Sequence, residues 1–222
     1  MTRVKICGLT SEQDVETVVD AGADALGFIV DVPVDTPRDL TVDRATDLVR
    51  EVPPFASTVL VTMPERAARA VDLAERIQPD TVQLHGDLSP ADAATVTEQV
   101  PATVVKAVDA DEPERCERYV DAVDALLVDS ADGEGGGGTG ETHDWDRTAT
   151  VAAELDAPVI LAGGLTPENV AAAVETVEPY GVDVASGVER ETIGEDDSRK
   201  DPDAVARFVA RANAAEGMET IA

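Results

Sequence analysis

Eight short apolar segments, separated by stretches with helical periodicity, constrain the fold of this chain more than any other feature of its sequence. The segments are rich in valine, leucine and isoleucine, which is typical of strands covered on both faces in a parallel sheet. They span residues 3–7, 25–30, 57–62, 81–85, 103–108, 125–130, 158–164 and 181–186. Strands and helices that alternate in this way within 222 residues predict a single-domain (β/α)8 barrel, a TIM barrel, over residues 1–222. An open doubly wound sheet is the alternative, but no GxGxxG motif follows the first strand.

The stretches between the strands carry the signals of helices. Ser11 opens a Ser-x-x-Asp capping pattern, and Thr166 is followed by Pro167 and Glu168 before an alanine- and valine-rich run. Apolar residues recur at helical spacing in residues 41–52, 64–77, 89–100, 112–123 and 201–214. We therefore expect helices between the strands and around the outside of the barrel.

The charge of the chain excludes several classes of partner. Its 46 acidic and 17 basic residues give a net charge of -29, which repels nucleic acid and anionic membranes. Regular apolar segments argue against disorder, so the composition indicates a folded, halophilic protein whose acidic surface is screened by salt. No segment of about 18 apolar residues could span a membrane. Because the amino terminus lacks a signal segment, in which basic residues precede an apolar run, we expect a cytoplasmic protein. No exposed apolar segment stands out in the sequence, so we expect a monomer.

The two cysteines, Cys7 and Cys116, form neither a disulfide framework nor a CxxC pair. Their spacing from His85 and His143 resembles no zinc motif, so we expect no metal site. Cys116 lies within a helical pattern and is interpreted as a core residue. Cys7, taken alone, is also more typical of an inert core residue than of a reactive group.

Functional residues of (β/α)8 barrels lie at the carboxyl ends of the strands and in the loops that follow them. Cys7 ends the first predicted strand, His85 the fourth, and Asp129 lies at the end of the sixth. Residues 132–140, DGEGGGGTG, are a flexible surface loop or an anion-binding loop, since glycines let backbone N–H groups approach an anion closely. Small residues also follow the last two strands, where these barrels often hold phosphate. The predicted phosphate site comprises Gly138, Thr139, Gly140, Gly163, Gly164, Ser186 and Gly187.

Seven motifs occur in one order along nearly the whole chain. They are KICGLT at the start, QLHG at 83–86, LLVDS at 126–130, GGTG at 137–140, DW at 144–145, LAGGL at 161–165 and GVDVASGVE at 181–189. Together they resemble the phosphoribosylanthranilate isomerase family of tryptophan biosynthesis. Two departures from the family pattern are His143, where an aromatic residue is common, and Ala185, where serine is frequent.

The resemblance implies an Amadori rearrangement of N-(5-phosphoribosyl)anthranilate, a small phosphosugar, without metal or organic cofactor. It implies that Cys7 is the general base and that Asp129 is the general acid. It also implies that Arg38 faces the anthranilate carboxylate; the alternative for Arg38 is a surface salt bridge. Independently, a thiol becomes an effective base when nearby positive charge lowers its pKa, and apolar surroundings suit a carboxylic acid to proton donation. Lys5 lies two residues before Cys7 on an extended strand, so both side chains point the same way. Lys5 either lowers the pKa of the Cys7 thiol or holds the anthranilate carboxylate. His85 either lines the substrate pocket or has a structural hydrogen-bonding role.

Three other functions fit parts of the pattern. The histidine-pathway isomerase performs the same rearrangement, but that family has aspartate where Cys7 ends the first strand. Thiamine phosphate synthase shares a phosphate-binding barrel, but it would need clustered acidic residues for magnesium and diphosphate. A non-catalytic phosphate-binding barrel would have no need of both Cys7 and Asp129.

Overall fold

Eight parallel strands form a closed barrel in the computed structural model, which describes residues 2–129, 144–190 and 199–215. They are β1 Arg3–Cys7, β2 Ala25–Val30, β3 Ser57–Thr62, β4 Thr81–Leu84, β5 Thr103–Asp109, β6 Ala125–Asp129, β7 Val159–Leu161 and β8 Gly181–Val184. The ring closes because β1 pairs in parallel with both β2 and β8. A two-residue strand, Asp39–Leu40, pairs with the end of β2. The predicted (β/α)8 barrel is confirmed.

Helices cover the outside of this ring. They are α1 Glu12–Asp20, α2 Val42–Glu51, α3 Ala67–Ile77, α4 Pro90–Gln99, α5 Trp145–Glu154, α6 Val170–Val177 and α7 Pro202–Ala215. The predicted cap of α1 is present: the Asp14 N–H donates to Ser11 Oγ, and the Ser11 N–H donates to Asp14 Oδ2. Two short 3₁₀ helices, Pro113–Arg118 and Ser186–Val188, complete the connections. Of the helices in the described part of the chain, none is long and apolar enough to cross a membrane.

One predicted helix has a different form. The sequence pattern predicts an α-helix over residues 112–123, whereas the structure has a 3₁₀ helix at Pro113–Arg118 followed by turns. Cys116 and Tyr119 are both buried in the core, and the Tyr119 N–H donates to the Cys116 carbonyl three residues earlier. Residues three apart align on a 3₁₀ helix, so this conformation sends both side chains to the same side. Cys116 is the core residue that the sequence indicated.

Alternation along the strands separates the layer beneath the helices from the interior of the barrel. In β1, Val4 and Ile6 belong to a hydrophobic cluster that includes residues of α1, α6 and α7. The intervening side chains point the other way, as the period of two requires: Cys7 packs in a small interior cluster with Val59 and Val61 of β3. The position of Cys7 inside the barrel follows from this alternation.

The three lysines of the chain are all buried, although lysine is a residue that soluble proteins place mainly on the surface. Lys5 lies inside the barrel, and Lys200 lies just before α7. Lys106 donates to the Gly86 carbonyl and lies 5.3 Å from the ring centre of Tyr119. Each lysine therefore forms hydrogen bonds inside the protein. Arginines, in contrast, form the surface ion pairs with the acidic residues.

Candidate active site

One pocket at the carboxyl ends of the strands brings together most of the residues that the sequence singled out. It is lined by residues from the ends of β1, β2, β4 and β6 and from the loops after β7 and β8. The predicted residues among them are Cys7, Arg38, His85, Asp129, Gly163, Gly164, Ser186 and Gly187. Lys5 lies deeper, inside the barrel. Gly138, Thr139 and Gly140 fall outside the described residues, as does His143.

A glycine on the neighbouring strand makes room for the Cys7 thiol. Gly27 of β2 is paired in register with Cys7. A Cβ atom at Gly27 would lie 2.8 Å from Cys7 Sγ and 3.1 Å from Lys5 Nζ. The thiol and the ammonium group therefore lie next to the same small volume, which only glycine leaves open. Gly27 was not among the predicted site residues, although a glycine within a strand is a known signal of close approach.

Burial and charge act in opposite directions on the Cys7 thiol. Burial raises its pKa, the positive charge of Lys5 lowers it, and the net pKa lies above the ordinary value for cysteine. The base expected from the sequence would have a lowered thiol pKa. Lys5 lowers the thiol pKa as expected, but desolvation raises the thiol pKa by more.

Lys5 is held by a carboxylate that the sequence analysis did not select. Its Nζ donates to Asp183 Oδ2 at 2.7 Å, and the two residues are paired in register on β1 and β8. Burial lowers the pKa of Lys5, but the charges of Asp183 and Cys7 outweigh burial and raise it. Asp183 Oδ1 is buried and has no hydrogen-bond partner among the described residues. A charged residue within the buried run GVDV was the available signal for Asp183.

His85 is neutral in this pocket. Burial, with the nearby charges of Lys5 and Lys106, lowers its pKa to about 3. Gln83 Nε2 lies 2.6 Å from His85 Nε2; since the amide nitrogen can only donate, we assign the imidazole proton to Nδ1. His85 can thus donate one hydrogen bond from Nδ1, but it does not carry a positive charge near neutral pH.

Arg38 reaches the pocket from the loop after β2 and is fixed by an ion pair. Its Nε and Nη2 donate to Glu189 Oε1 and Oε2, each at 2.8 Å. Its Cδ lies 2.7 Å from where a Cβ of Gly8 would be, so the side chain passes directly over the residue after Cys7. Glu189, the last residue of the ASGVE motif, was not among the predicted site residues.

The loops after β7 and β8 pack closely at the other side of the pocket. Gly163 and Gly164 have φ values of +82° and +61°, which favour glycine. A Cβ at Gly187 would lie 2.0 Å from the Leu165 carbonyl oxygen. Asn169 fixes this loop, since its side chain donates to the Gly164 carbonyl and accepts from the Thr166 N–H. The arrangement leaves a concave backbone surface of small residues, which suits an anion.

The chemistry available in the pocket is proton transfer combined with anion binding. A thiol lies at the end of β1 and a carboxyl group at the end of β6, while the arginine lies near the thiol. Among the described residues, no group of three or more histidine, cysteine, aspartate or glutamate side chains could hold a metal ion.

Comparison with known proteins gives one consistent result. The family model described as N-(5′-phosphoribosyl)anthranilate (PRA) isomerase matches residues 4–211. The N-(5′-phosphoribosyl)anthranilate isomerase of Halobacterium salinarum is 57% identical, over 96% of this chain and 97% of the relative. The phosphoribosylanthranilate isomerase structure from Thermotoga maritima has a TM-score of 0.83 and 34% identity, over 96% of this chain and all of that one. An isomerase structure in complex with reduced 1-(o-carboxyphenylamino)-1-deoxyribulose 5-phosphate has a TM-score of 0.80 and 33% identity, over 96% and 100% of the two chains.

Two further structural similarities bear on the alternatives. A thiamine phosphate pyrophosphorylase from Pyrococcus furiosus has a TM-score of 0.63 and 18% identity over 96% of each chain, which shows a shared fold alone. Another Thermotoga maritima structure contains monomers generated from a dimeric phosphoribosylanthranilate isomerase.

Proposed function

This chain belongs to the N-(5′-phosphoribosyl)anthranilate isomerase family of tryptophan biosynthesis, and we propose that Cys7 and Asp129 are the base and the acid of its reaction. The reaction is the rearrangement of N-(5-phosphoribosyl)anthranilate to 1-(2-carboxyphenylamino)-1-deoxyribulose 5-phosphate. The observation that carries the assignment of roles is the shared pocket that Cys7, Asp129, Arg38 and the loops after β7 and β8 line together. Relatives from Halobacterium and Haloferax agree with the halophilic character inferred from the charge.

In the first step Asp129 donates a proton to the furanose ring oxygen. The bond between that oxygen and C1 breaks, and the anthranilate nitrogen supplies the electron pair that forms the C1=N iminium. Asp129 lies at the end of β6 and lines the pocket, so it can approach a sugar that lies between the arginine and the phosphate loops. A positioned acid of this kind contributes about 10²–10⁴ in rate.

In the second step the Cys7 thiolate removes the proton from C2. The electrons of the C2–H bond form the C1=C2 bond and neutralise the iminium nitrogen, which gives an enolamine. The enolamine then gains a proton at C1 and loses the proton of its C2 hydroxyl, which gives the ketone. Positive charges favour the thiolate against burial: Lys5 and Lys200 belong to the protein, and the iminium exists only during the reaction.

The two ends of the substrate are anions, and the pocket offers a site for each. Arg38 suits the planar anthranilate carboxylate. The ring would lie against the apolar wall that includes Ile29, Val32 and Val34. His85 would donate from Nδ1 to a substrate oxygen. The phosphate would bind the predicted small-residue loops, which are Gly163, Gly164, Ser186 and Gly187 together with Gly138, Thr139 and Gly140.

Turnover of freshly generated phosphoribosylanthranilate, followed by the loss of its fluorescence in molar KCl, tests this proposal. We expect rapid turnover by the wild type and at least about a hundredfold loss in Asp129→Asn. Asp109→Asn is the matched control, because Asp109 is the register partner of Asp129 on β5 but does not line the pocket. Folded wild-type protein that acts only on the histidine-pathway substrate would refute the proposed reaction, and an active Asp129→Asn variant would refute the role of Asp129.

We also propose a single domain over residues 1–222, a monomer in the cytoplasm. Of the described side chains, the exposed large hydrophobic ones are Phe55 and Tyr180, and both line a second cavity at the amino ends of the strands. A few exposed apolar side chains are normal for a monomer. Light scattering in molar KCl should give the monomer mass of 23.2 kDa. Twice that mass would overturn the proposal, and Phe55→Ser would then show whether this end of the barrel forms the dimer.

A further inference from the structure

Toward the residues that the structure describes, the Arg38 guanidinium uses only one of its two hydrogen-bonding edges. The edge formed by Nε and Nη2 donates to both carboxylate oxygens of Glu189. A guanidinium has a second edge, formed by Nη1 and Nη2, which can hold another carboxylate in the same bidentate way. Nη1 makes no hydrogen bond to any residue that the structure describes. Arg38 therefore retains a complete recognition edge while its position is fixed.

Glu189 is itself held firmly. Its side chain is 10% exposed, and its Oε1 also accepts from Lys200 Nζ at 3.1 Å. Lys200 is fully buried and donates a second hydrogen bond to the Ala185 carbonyl at the end of β8. Arg199 Nε lies 3.7 Å from the same carboxylate oxygen. Burial raises the pKa of Glu189, but Arg38 and Lys200 outweigh it and leave the pKa below its ordinary range, so Glu189 is ionised.

Among the described side chains, the positive charge of Arg38 is incompletely compensated. Glu189 carries one negative charge but accepts hydrogen bonds from two cations, Arg38 and Lys200. Asp14, a further acidic group near this point, accepts from the backbone N–H groups of Arg199 and Lys200. A second carboxylate at the outer edge of Arg38 is therefore electrostatically favoured.

We infer that Glu189 is a positioning residue, which, with Lys200, holds Arg38 so that its outer edge receives the carboxylate of the anthranilate group. The inference rests on the proposed function and adds a source of specificity to it. An arginine side chain on a loop would otherwise sample many rotamers, and binding would have to restrict them. With Glu189 in place, the edge is presented before the substrate arrives. Arg38, held in this way, selects substrates whose aromatic amine carries an adjacent carboxylate.

The test compares Glu189→Gln with wild type, using substrate kinetics and two inhibitors. The inhibitors are anthranilate, which has the carboxylate, and inorganic phosphate, which probes the other end of the pocket. We expect KM to rise by about tenfold or more in the variant, since hydrogen bonds to charged groups are worth about this factor, while kcat changes by less than about threefold. The inhibition constant of anthranilate should rise in parallel, and that of phosphate should stay unchanged.

Two further variants keep the test decisive. Glu114→Gln is the matched control, because Glu114 forms an equivalent bidentate pair with Arg147 on the surface, away from the pocket. If Glu189→Gln does not fold, Glu189→Asp keeps the charge, but its shorter side chain cannot hold both nitrogens, and the same selective loss for anthranilate is expected.

Unchanged anthranilate binding in a folded Glu189 variant, or equal losses for anthranilate and phosphate, would overturn the positioning role even if the wild type is fully active. Selective loss of anthranilate binding, in a protein that does not turn over the substrate, would support the positioning role and refute the proposed function.

Discussion

Replacement of Gly27 by alanine should damage the site from a neighbouring strand while every catalytic side chain stays in place. The new methyl group would lie 2.8 Å from Cys7 Sγ, 3.0 Å from Cys7 Cα and 3.1 Å from Lys5 Nζ. One of these atoms is backbone, so the strain cannot be relieved by side-chain rotation alone. Overpacking of this kind costs about 1–3 kcal/mol. For a protein of this size that cost lowers Tm by about 2–12 °C.

The effect on turnover should be larger than the effect on stability. A shift of the thiol by about 1 Å from its reactive position can reduce the rate about a hundredfold. Gly22→Ala is the matched control. Gly22 has a φ of +80°, and apart from its chain neighbours no described residue has an atom within 4 Å of the point where its Cβ would be, so alanine strains the backbone without crowding a described side chain. Thermal unfolding and fluorescence turnover in molar KCl measure both effects. Gly27→Ala with wild-type Tm and turnover would refute the close packing around Cys7.

Three further predictions concern the charges around the thiol. Asp183→Asn removes the partner of buried Lys5, and the loss of such a partner costs about 3–5 kcal/mol. Thermal unfolding should therefore show a Tm lower by about 6–20 °C, and an unchanged Tm would contradict the ion pair between Lys5 and Asp183. Burial raises the pKa of the Cys7 thiol, so in a Cys116→Ser background the rate of alkylation should still be rising at pH 9; a plateau below pH 8 would contradict this. His85, with a pKa of about 3, should show constant imidazole NMR shifts between pH 5 and 8, and a titration in that range would show that it is not desolvated.

The fold and the pocket's principal residues could be predicted because they depend on local patterns. Apolar segments at regular spacing determine the barrel. The rule that function lies at the carboxyl ends of strands includes Cys7 and Asp129 among several candidates, and the family resemblance implies their roles. Both line the pocket. These predictions required no knowledge of which residues meet across the barrel.

The sequence analysis did not select Asp183, Glu189 or Gly27, because their roles depend on contacts between distant segments. Lys5 and Asp183 are 178 residues apart, and Arg38 and Glu189 are 151 apart. Gly27 matters only because its strand lies beside β1. No periodicity in one segment indicates these pairs. The net pKa of Cys7 could not be predicted from the sequence either. The sequence indicates that Lys5 lies near the thiol, but it does not indicate how deeply the thiol is buried.

The interpretation of residues 112–123 failed for a related reason. Apolar residues at helical spacing were present, but the buried positions of Cys116 and Tyr119 favour a 3₁₀ helix followed by turns. Tertiary packing decided the form of the helix, and local propensity could not anticipate it.

The most direct test of the central claim, that the Cys7 thiolate removes the C2 proton, compares Cys7→Ser with Cys116→Ser. Both cysteines are buried and unpaired, but only Cys7 lines the pocket. Turnover of phosphoribosylanthranilate in molar KCl should fall at least about a hundredfold in Cys7→Ser and remain near the wild-type rate in Cys116→Ser. Wild-type turnover by Cys7→Ser would contradict the claim and require another base in the same pocket.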